Sequence, residues 1–164
     1  MNDVVKCMLE RRSIRKYNPK PITDEQLKTI LEAWLYAPNA GGRQSPLIVV
    51  CRNEQINTAL GNINKSAFCG QMSTKTAYVS KNQLSIADNA SIISAFYDAP
   101  IVLHLFSLKN FLYASADCYA VAVNITLAAY SLGIGSCIVA RAKETFASQY
   151  RPGNPQKMGY QQWV

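Results

Sequence analysis

Residues 10–17 (ERRSIRKY) hold the densest group of side chains able to bind an anion. Three arginines, a lysine and a serine fall within these eight positions. Guanidinium groups form paired hydrogen bonds with phosphate oxygens, and a serine hydroxyl adds a neutral donor. The run therefore predicts a phosphate-binding segment. Taken alone, it is equally consistent with a solvated basic end of a helix.

The element that positions this run is a predicted N-terminal helix. Val4, Val5, Met8 and Leu9 recur on one face at helical spacing, and Asn2 or Asp3 supplies the cap. The basic run then lies at the C-terminus of the helix, where the dipole favours cations. An anion bound there cannot use helix N–H groups, so the side chains must supply the charge.

Other reactive side chains are few. The single histidine, His104, lies inside the strand-like run 101–106 and is predicted to be a core or sheet-edge residue, not a catalytic one. The five cysteines, at positions 7, 51, 69, 118 and 137, include no Cys-x-x-Cys pair, and most are predicted to be small core residues. This composition argues against a zinc site, a Ser-His-Asp triad and a disulfide framework, and no metal ligand is predicted. An enzyme of this kind would depend on a bound cofactor.

Size and charge restrict the partners. The 164 residues predict a single domain over 1–164, and the net charge of +7 predicts an anionic partner, either a phosphorylated cofactor or nucleic acid. Nucleic acid is disfavoured because no aromatic residues alternate with the basic ones and no known motif is present. No membrane association is expected, since there is no membrane-spanning run or signal-peptide pattern. With the unpaired cysteines, this favours the cytoplasm.

The most regular helix pattern follows residues 23–26, which have the form of a capping box. Apolar residues continue at helical spacing from Leu27 to Leu35. The pattern ends in a loop of turn formers over 37–44, where two adjacent glycines allow a ligand or another chain to approach closely. An ordinary connector between a helix and a strand explains this loop equally well.

The remaining pattern alternates strands and helices. Residues 47–51 predict a strand buried on both faces, and 101–106 predict another strand. Residues 114–132 predict a helix that is apolar nearly all round and so belongs in a core or a subunit interface. Residues 137–140 predict a further buried strand, and 143–149 a short helix. Between the two first strands, residues 56–60 predict a short helix and 61–89 a mobile lid.

The order and spacing of five blocks resemble the FMN-dependent nitroreductase family. The match extends over residues 3–148. The blocks that carry it are 11–17, 37–46, 96–100, 116–118 and 128–137.

The resemblance implies an α+β fold with a central mixed, mostly antiparallel sheet flanked by helices. It also implies an intertwined homodimer with FMN at the interface. By position, the implied cofactor-binding residues are Arg11, Arg12, Ser13 and Arg15 for the phosphate, ribityl chain and pyrimidine edge; Pro38, Asn39, Ala40, Gly42 and Gln44 for the flavin of the partner subunit; and Val139 and Ala140, through their backbone, near flavin N5.

The activity implied by the resemblance is that of an FMN-dependent NAD(P)H oxidoreductase. In the family, NAD(P)H delivers hydride to flavin N5 and leaves, and a nitroaromatic, a quinone or a similar acceptor then takes the electrons. No catalytic side chain is implied, because the flavin carries the reaction.

One departure from the family pattern supports an alternative function. Family members usually continue into another strand that ends in Gly-Tyr and is followed by a basic residue on the FMN phosphate. Here Gly159 and Tyr160 follow no apolar run, and the chain looks C-terminally shortened. The alternative is therefore an FMN-binding protein with little or no turnover.

Overall fold

Five α-helices and two β-strands make up the regular structure of residues 1–67 and 82–147, the part of the chain that the computed structural model describes. The lid prediction at residues 68–81, Cys69 and everything from 148 onward, including Gly159 and Tyr160, lie outside these residues. In chain order the elements are α1 (Asp3–Glu10), α2 (Asp24–Leu35), a 3-10 turn (Ala40–Gly42), β1 (Leu47–Cys51), α3 (Glu54–Ser66), β2 (Val102–Phe106), α4 (Ala114–Ser131) and α5 (Ala142–Ala147).

The predicted helix caps are present. The Asn2 side chain accepts a hydrogen bond from the Val5 N–H at 3.0 Å, which starts α1. Thr23 and Gln26 form the reciprocal capping box of α2, with bonds of 3.2 and 3.0 Å. The helix predicted over 56–60 was too short. Helix α3 begins at Glu54, because the Asn53 side chain caps it by accepting a hydrogen bond from the Ile56 N–H.

Helix α4 is central to the packing, as its apolar sequence predicted. Val121, Ile125 and Ala129 are buried against Ile30 of α2. Partly buried residues of both strands, including Leu103, pack on the same cluster. A second apolar cluster, built on Leu60, Ile63, Ala95 and Phe96, joins α3 to β2 and α5. Ile134 packs on the first cluster and Val139 on the second, so the two clusters border the segment that leads to Val139 and Ala140.

The described residues contain one two-stranded antiparallel sheet and, outside it, one isolated parallel bridge. Strands β1 and β2 are antiparallel, with Val49 opposite His104, and Ser13 forms an isolated parallel bridge with Ser136. Strand β1 is half-buried along its whole length, so the prediction of burial on both faces was wrong. Its only partner in this part of the chain is β2, and an edge strand keeps solvent contact.

Two smaller predictions were also wrong. Residues 137–140 form no strand, because the pairing stops at Ser136 and Arg141 has a left-handed backbone, with φ of 66°. Cys7, Cys51 and Cys118 are half-buried and not core residues, and α1 buries none of its side chains.

Candidate cofactor site

Arg12 hydrogen-bonds to the C-terminal end of α1. Its Nη1 donates to the carbonyl oxygens of Leu9 at 2.7 Å and Arg11 at 2.9 Å, and the side chain is exposed. A cation in this position satisfies the last carbonyls of the helix and complements its dipole. Part of the basic run is therefore explained by helix capping, and a cofactor contact of Arg12 stays a prediction.

Ser13 and Arg15 are brought to the segment 135–141 by backbone pairing. The Ile14 N–H donates to the Ser136 carbonyl at 2.9 Å, within the bridge between Ser13 and Ser136. Gly135 is required for this approach, because a Cβ atom there would lie 2.9 Å from Ile14 Cγ2. Two predicted regions more than a hundred residues apart in sequence therefore meet.

Arg15 lies at the centre of the resulting site. Its N–H donates to Gln83 Oε1 at 2.6 Å, and its Nη1 donates to the Gln83 carbonyl at 2.8 Å. The guanidinium carbon lies 6.0 Å from the centre of the Tyr97 ring. The buried Nε of Arg15 has no hydrogen-bond partner in the described residues. A cavity of about 190 Å³ is lined by Arg15 and Tyr97 together with Val139 and Ala140.

Two titratable groups beside Arg15, Cys137 and Tyr17, are held neutral. Burial raises the pKa of the Cys137 thiol, while Arg15, Ser13 and Arg11 act in the opposite direction. Burial is also the main reason that the pKa of Tyr17 is raised, with Cys137 and Tyr97 adding to it. Near neutral pH the thiol and the phenol carry no negative charge that would cancel the arginines. These two groups therefore leave the charge of Arg15 uncancelled; a nearby carboxylate is that of exposed Asp88, whose pKa is lowered by hydrogen bonds from Ser85 and, to a smaller extent, by Arg15.

The loop over 37–45 is anchored by a buried carboxylate. Asp117, only 3% exposed, accepts from the Ala40 N–H at 3.0 Å and from Ser45 Oγ at 2.8 Å. Within the loop, the Gln44 N–H donates to Asn39 Oδ1 at 2.8 Å. Gly42 and Gln44 both have left-handed backbones, with φ of 64° and 45°. A side chain at the start of α4 thus fixes the shape of this loop.

The predicted loop residues do not share the cavity beside Arg15. Pro38, Asn39, Ala40, Gly42 and Gln44 are absent from its lining, which contains Val139 and Ala140. Their contact with the flavin of a partner subunit stays a prediction.

Three residues at the site were not predicted. Gln83 and Tyr97 flank Arg15, and Asn64, 1% exposed, donates from Nδ2 to the Ala140 carbonyl at 2.9 Å. Tyr97 lies in one of the family-like blocks, although no role had been assigned to it. Asn64 gives no such signal, since it is one polar residue on a helix rich in asparagine.

A larger cavity of about 930 Å³ lies between β2, α4 and residues 133–142. His104 lines it, packed against the Phe96 and Phe146 rings at centroid distances of 5.7 and 5.4 Å. Burial lowers the pKa of His104 to about 4, so the imidazole is neutral near pH 7. The prediction of a core or sheet-edge histidine is confirmed, since His104 is buried on a strand of the two-stranded sheet.

Neither a metal site nor a membrane span is found in residues 1–67 and 82–147. No three His, Cys, Asp or Glu side chains of this part of the chain group together as metal ligands. None of its helices combines the length and apolar character needed to cross a bilayer.

Comparison with known proteins agrees with this geometry. A relative from Archaeoglobus fulgidus is 32% identical over 136 residues. It is named, by provisional assignment, NADH dehydrogenase/NAD(P)H nitroreductase. The NADPH-flavin oxidoreductase of Vibrio harveyi is 26% identical over 148 residues. These matches cover 83% and 90% of this chain, which spans 66% and 57% of the lengths of the two relatives.

Solved structures show the same fold. A Bacteroides fragilis nitroreductase with bound FMN matches with a TM-score of 0.66 at 30% identity, over 84% of this chain and 69% of its own. A Desulfitobacterium hafniense nitroreductase with bound FMN matches with a TM-score of 0.77 at 25% identity, over 100% of this chain and 85% of its own. The model of the family described as "Nitroreductase family" matches residues 8–145. The resemblance seen in the sequence is thus confirmed, and this chain belongs to the nitroreductase family.

Proposed function

We propose that this protein is an FMN-dependent NAD(P)H oxidoreductase that passes electrons to a nitroaromatic, a quinone or a similar small acceptor. The observation that carries the proposal is the cavity that Arg15 shares with Val139 and Ala140. Family membership and the flavin enzymes among the relatives support it. This chain spans 66% of the length of the Archaeoglobus fulgidus relative and 57% of that of the Vibrio harveyi relative, so the activity of the whole protein is part of the proposal.

The residues present fit one edge of a flavin. Arg15 Nε and Ser136 Oγ are buried polar atoms with no hydrogen-bond partner in the described residues. The Ala140 N–H likewise donates to no group there. Side-chain and backbone donors beside the Arg15 cation suit the carbonyl oxygens and ring nitrogens of isoalloxazine. When bound, FMN supplies the exchange of hydride, and a nearby guanidinium stabilises the negative charge of the reduced ring.

We infer that the functional unit is a homodimer. Val4, Met8 and Leu9 of α1 are 60%, 57% and 59% exposed, although their spacing gives the helix an apolar face. Tyr119 and Val123 expose apolar surface on α4, with which α1 is in contact. A surface of this kind is typical of a subunit interface. A partner chain packed there would also be the source of the loop residues from Pro38 to Gln44.

A cytoplasmic location belongs to the same proposal. Cys7, Cys51, Cys118 and Cys137 are all free thiols in the described part of the chain. Free thiols persist in a reducing compartment, which is also where NAD(P)H is available.

The decisive experiment is a visible spectrum of the purified protein with added FMN, before and after anaerobic NADH or NADPH. The proposal predicts bound flavin absorbance that bleaches on reduction. Bound flavin that does not bleach would support the alternative of a flavin-binding protein without turnover. A protein that binds no FMN would refute both functions.

A double variant tests the basic segment. Arg11→Ala together with Arg15→Ala is expected to release FMN while the fold is kept. The matched control is Lys28→Ala together with Arg52→Ala, which removes the same charge from exposed positions near α2. Equal flavin content in the two double variants would exclude the proposed phosphate and ring contacts.

A further inference from the structure

Asn64 joins the middle of the chain to the cavity beside Arg15. Its side chain, 1% exposed, extends from the last turns of α3. The Nδ2 group donates to the Ala140 carbonyl at 2.9 Å and to Thr145 Oγ1 at 2.8 Å, and it lies 3.4 Å from the Arg141 carbonyl. The two protons of one amide are therefore used to hold a single short segment.

The segment held by Asn64 has an unfavourable backbone. Arg141 has a φ of 66°, a left-handed conformation that costs an ordinary residue about 1 kcal/mol or more. Thr145 stabilises it from α5, because both its N–H, at 3.0 Å, and its Oγ, at 2.8 Å, donate to the Arg141 carbonyl. The conformation depends on these buried partners, since no strand pairing holds residues 137–140.

The direction of these bonds decides what the segment presents to the cavity. Asn64 occupies the Ala140 carbonyl, while the N–H of Ala140 donates to no group within the described residues. Val139 and Ala140 also line the cavity with Arg15. Residue 140 is thus held through its carbonyl oxygen, in the peptide group shared with Arg141, while its N–H, in the peptide group shared with Val139, is left for a ligand.

We propose that Asn64 is a positioning residue for the flavin, acting through residues 139–141. This inference rests on the proposed function, because it takes FMN to be the ligand of that cavity. Asn64 does not itself line that cavity. By holding residue 140, the Asn64 amide sets the orientation of the Ala140 N–H toward the flavin ring. The strength of that hydrogen bond should differ between oxidised and reduced FMN, because reduction adds electron density to the ring.

The side chain chemistry is specific to an amide. A carboxylate at position 64 would place an oxygen against the carbonyls of Ala140 and Arg141, and a reversed amide would do the same. Leucine has nearly the same shape as asparagine and no donor, so Asn64→Leu removes the hydrogen bonds without leaving a cavity.

The chain offers a matched control on the same helix. Asn57 lies seven residues earlier on α3, is 4% exposed and donates from Nδ2 to the Cys51 carbonyl at 3.2 Å. Like Asn64, it has an Oδ1 atom without a partner in the described residues. Asn57→Leu therefore removes a comparable buried amide that does not contact residues 139–141.

The experiment compares the two variants as full-length holoproteins. FMN dissociation constants are measured by fluorescence titration, and the flavin midpoint potential by anaerobic redox titration. Both variants should lose thermal stability, whereas only Asn64→Leu should weaken FMN binding, by roughly tenfold, which corresponds to the loss of about one well-placed hydrogen bond. It should also change the ratio of affinities for oxidised and reduced FMN, which the midpoint potential reports.

A second pair of variants keeps the proposal testable if Asn64→Leu does not fold. Thr145→Val removes the hydroxyl that supports Asn64 and Arg141, and Thr145→Ser retains it. Valine should reproduce the shift in potential, and serine should restore the original value. If the unchanged protein binds FMN but the potentials of all these variants match that of Asn57→Leu, the positioning role is wrong and the proposed function stands. If the unchanged protein binds no FMN, both fail.

Discussion

The carboxylate of Asp117 is the best place to perturb the loop over 37–45 without touching the cavity beside Arg15. It accepts two hydrogen bonds from the loop, one from the Ala40 N–H at 3.0 Å and one from Ser45 Oγ at 2.8 Å. Ser107 adds a weaker bond to Ser45 at 3.3 Å. Asp117→Ala removes both acceptors and leaves two donors of the loop without partners.

The size of the effect follows from burial. Hydrogen bonds to a charged group contribute about 1.5–3 kcal/mol each, and an unsatisfied buried donor costs up to about 3 kcal/mol. Ser45 is 7% exposed and should incur most of this cost, whereas the half-buried Ala40 can recover a bond to water. We expect Asp117→Ala to lower the free energy of unfolding by about 3 kcal/mol, or roughly 6–12 °C in melting temperature for a chain of this length.

The measurement is urea unfolding of Asp117→Ala, Ser45→Ala and the double variant. Because Asp117 and Ser45 share a bond, their effects should couple by more than about 1 kcal/mol. Asn124→Ala is the control, since Asn124 donates a single bond from α4 to the Ala33 carbonyl at 3.2 Å and does not touch the loop. Strictly additive effects at Asp117 and Ser45, or a loss at Asp117 no larger than at Asn124, would refute this account of the loop.

Three further predictions concern stability. Thr23→Ala removes half of the α2 capping box and should cost about 1 kcal/mol, measured by thermal unfolding. Gly135→Ala should cost about 1–3 kcal/mol because its Cβ would meet Ile14, and adding Ile14→Ala should recover part of the loss; no recovery would argue against that contact. His104, with its pKa lowered to about 4, is protonated in the unfolded chain before the folded one. Stability should therefore fall by roughly 3 kcal/mol as pH drops from its unfolded pKa of about 6.5 to 4, and His104→Phe should flatten this dependence in urea titrations.

Elements defined by local chemistry were predicted well from the sequence. The capping box of Thr23 and Gln26 depends on residues three apart, and the apolar surface of α4 is visible over five turns of helix. His104 was placed in the core or at a sheet edge because its neighbours are apolar on both sides. In each case the deciding interactions are made with residues nearby in the chain.

The errors have a common physical cause. Residues 137–140 have the composition of a buried strand, yet Arg141 turns the chain and Asn64 binds the carbonyl that a ladder would use. Asn64 is 76 residues before Ala140 in the sequence, so no local hydrophobic pattern could indicate that the two residues are hydrogen-bonded. Arg12 and Arg15 lie in one basic run, yet Arg12 bonds the end of α1 whereas Arg15 lines the cavity; a cofactor contact of Arg12 stays a prediction.

The same reasoning explains why the backbone of the site lies outside regular secondary structure. A peptide within a helix or strand uses both its N–H and its carbonyl, so it has no donor left for a ligand. Near Ala40 and near Ala140, one buried side chain supplies the hydrogen bond that a ladder would otherwise provide. Asp117 accepts the N–H of Ala40, and Asn64 donates to the carbonyl of Ala140. The second arrangement leaves the Ala140 N–H without a partner in the described residues beside Arg15, and the first does not, so residues 139–141 are the segment of the two that can donate to a ligand in that cavity.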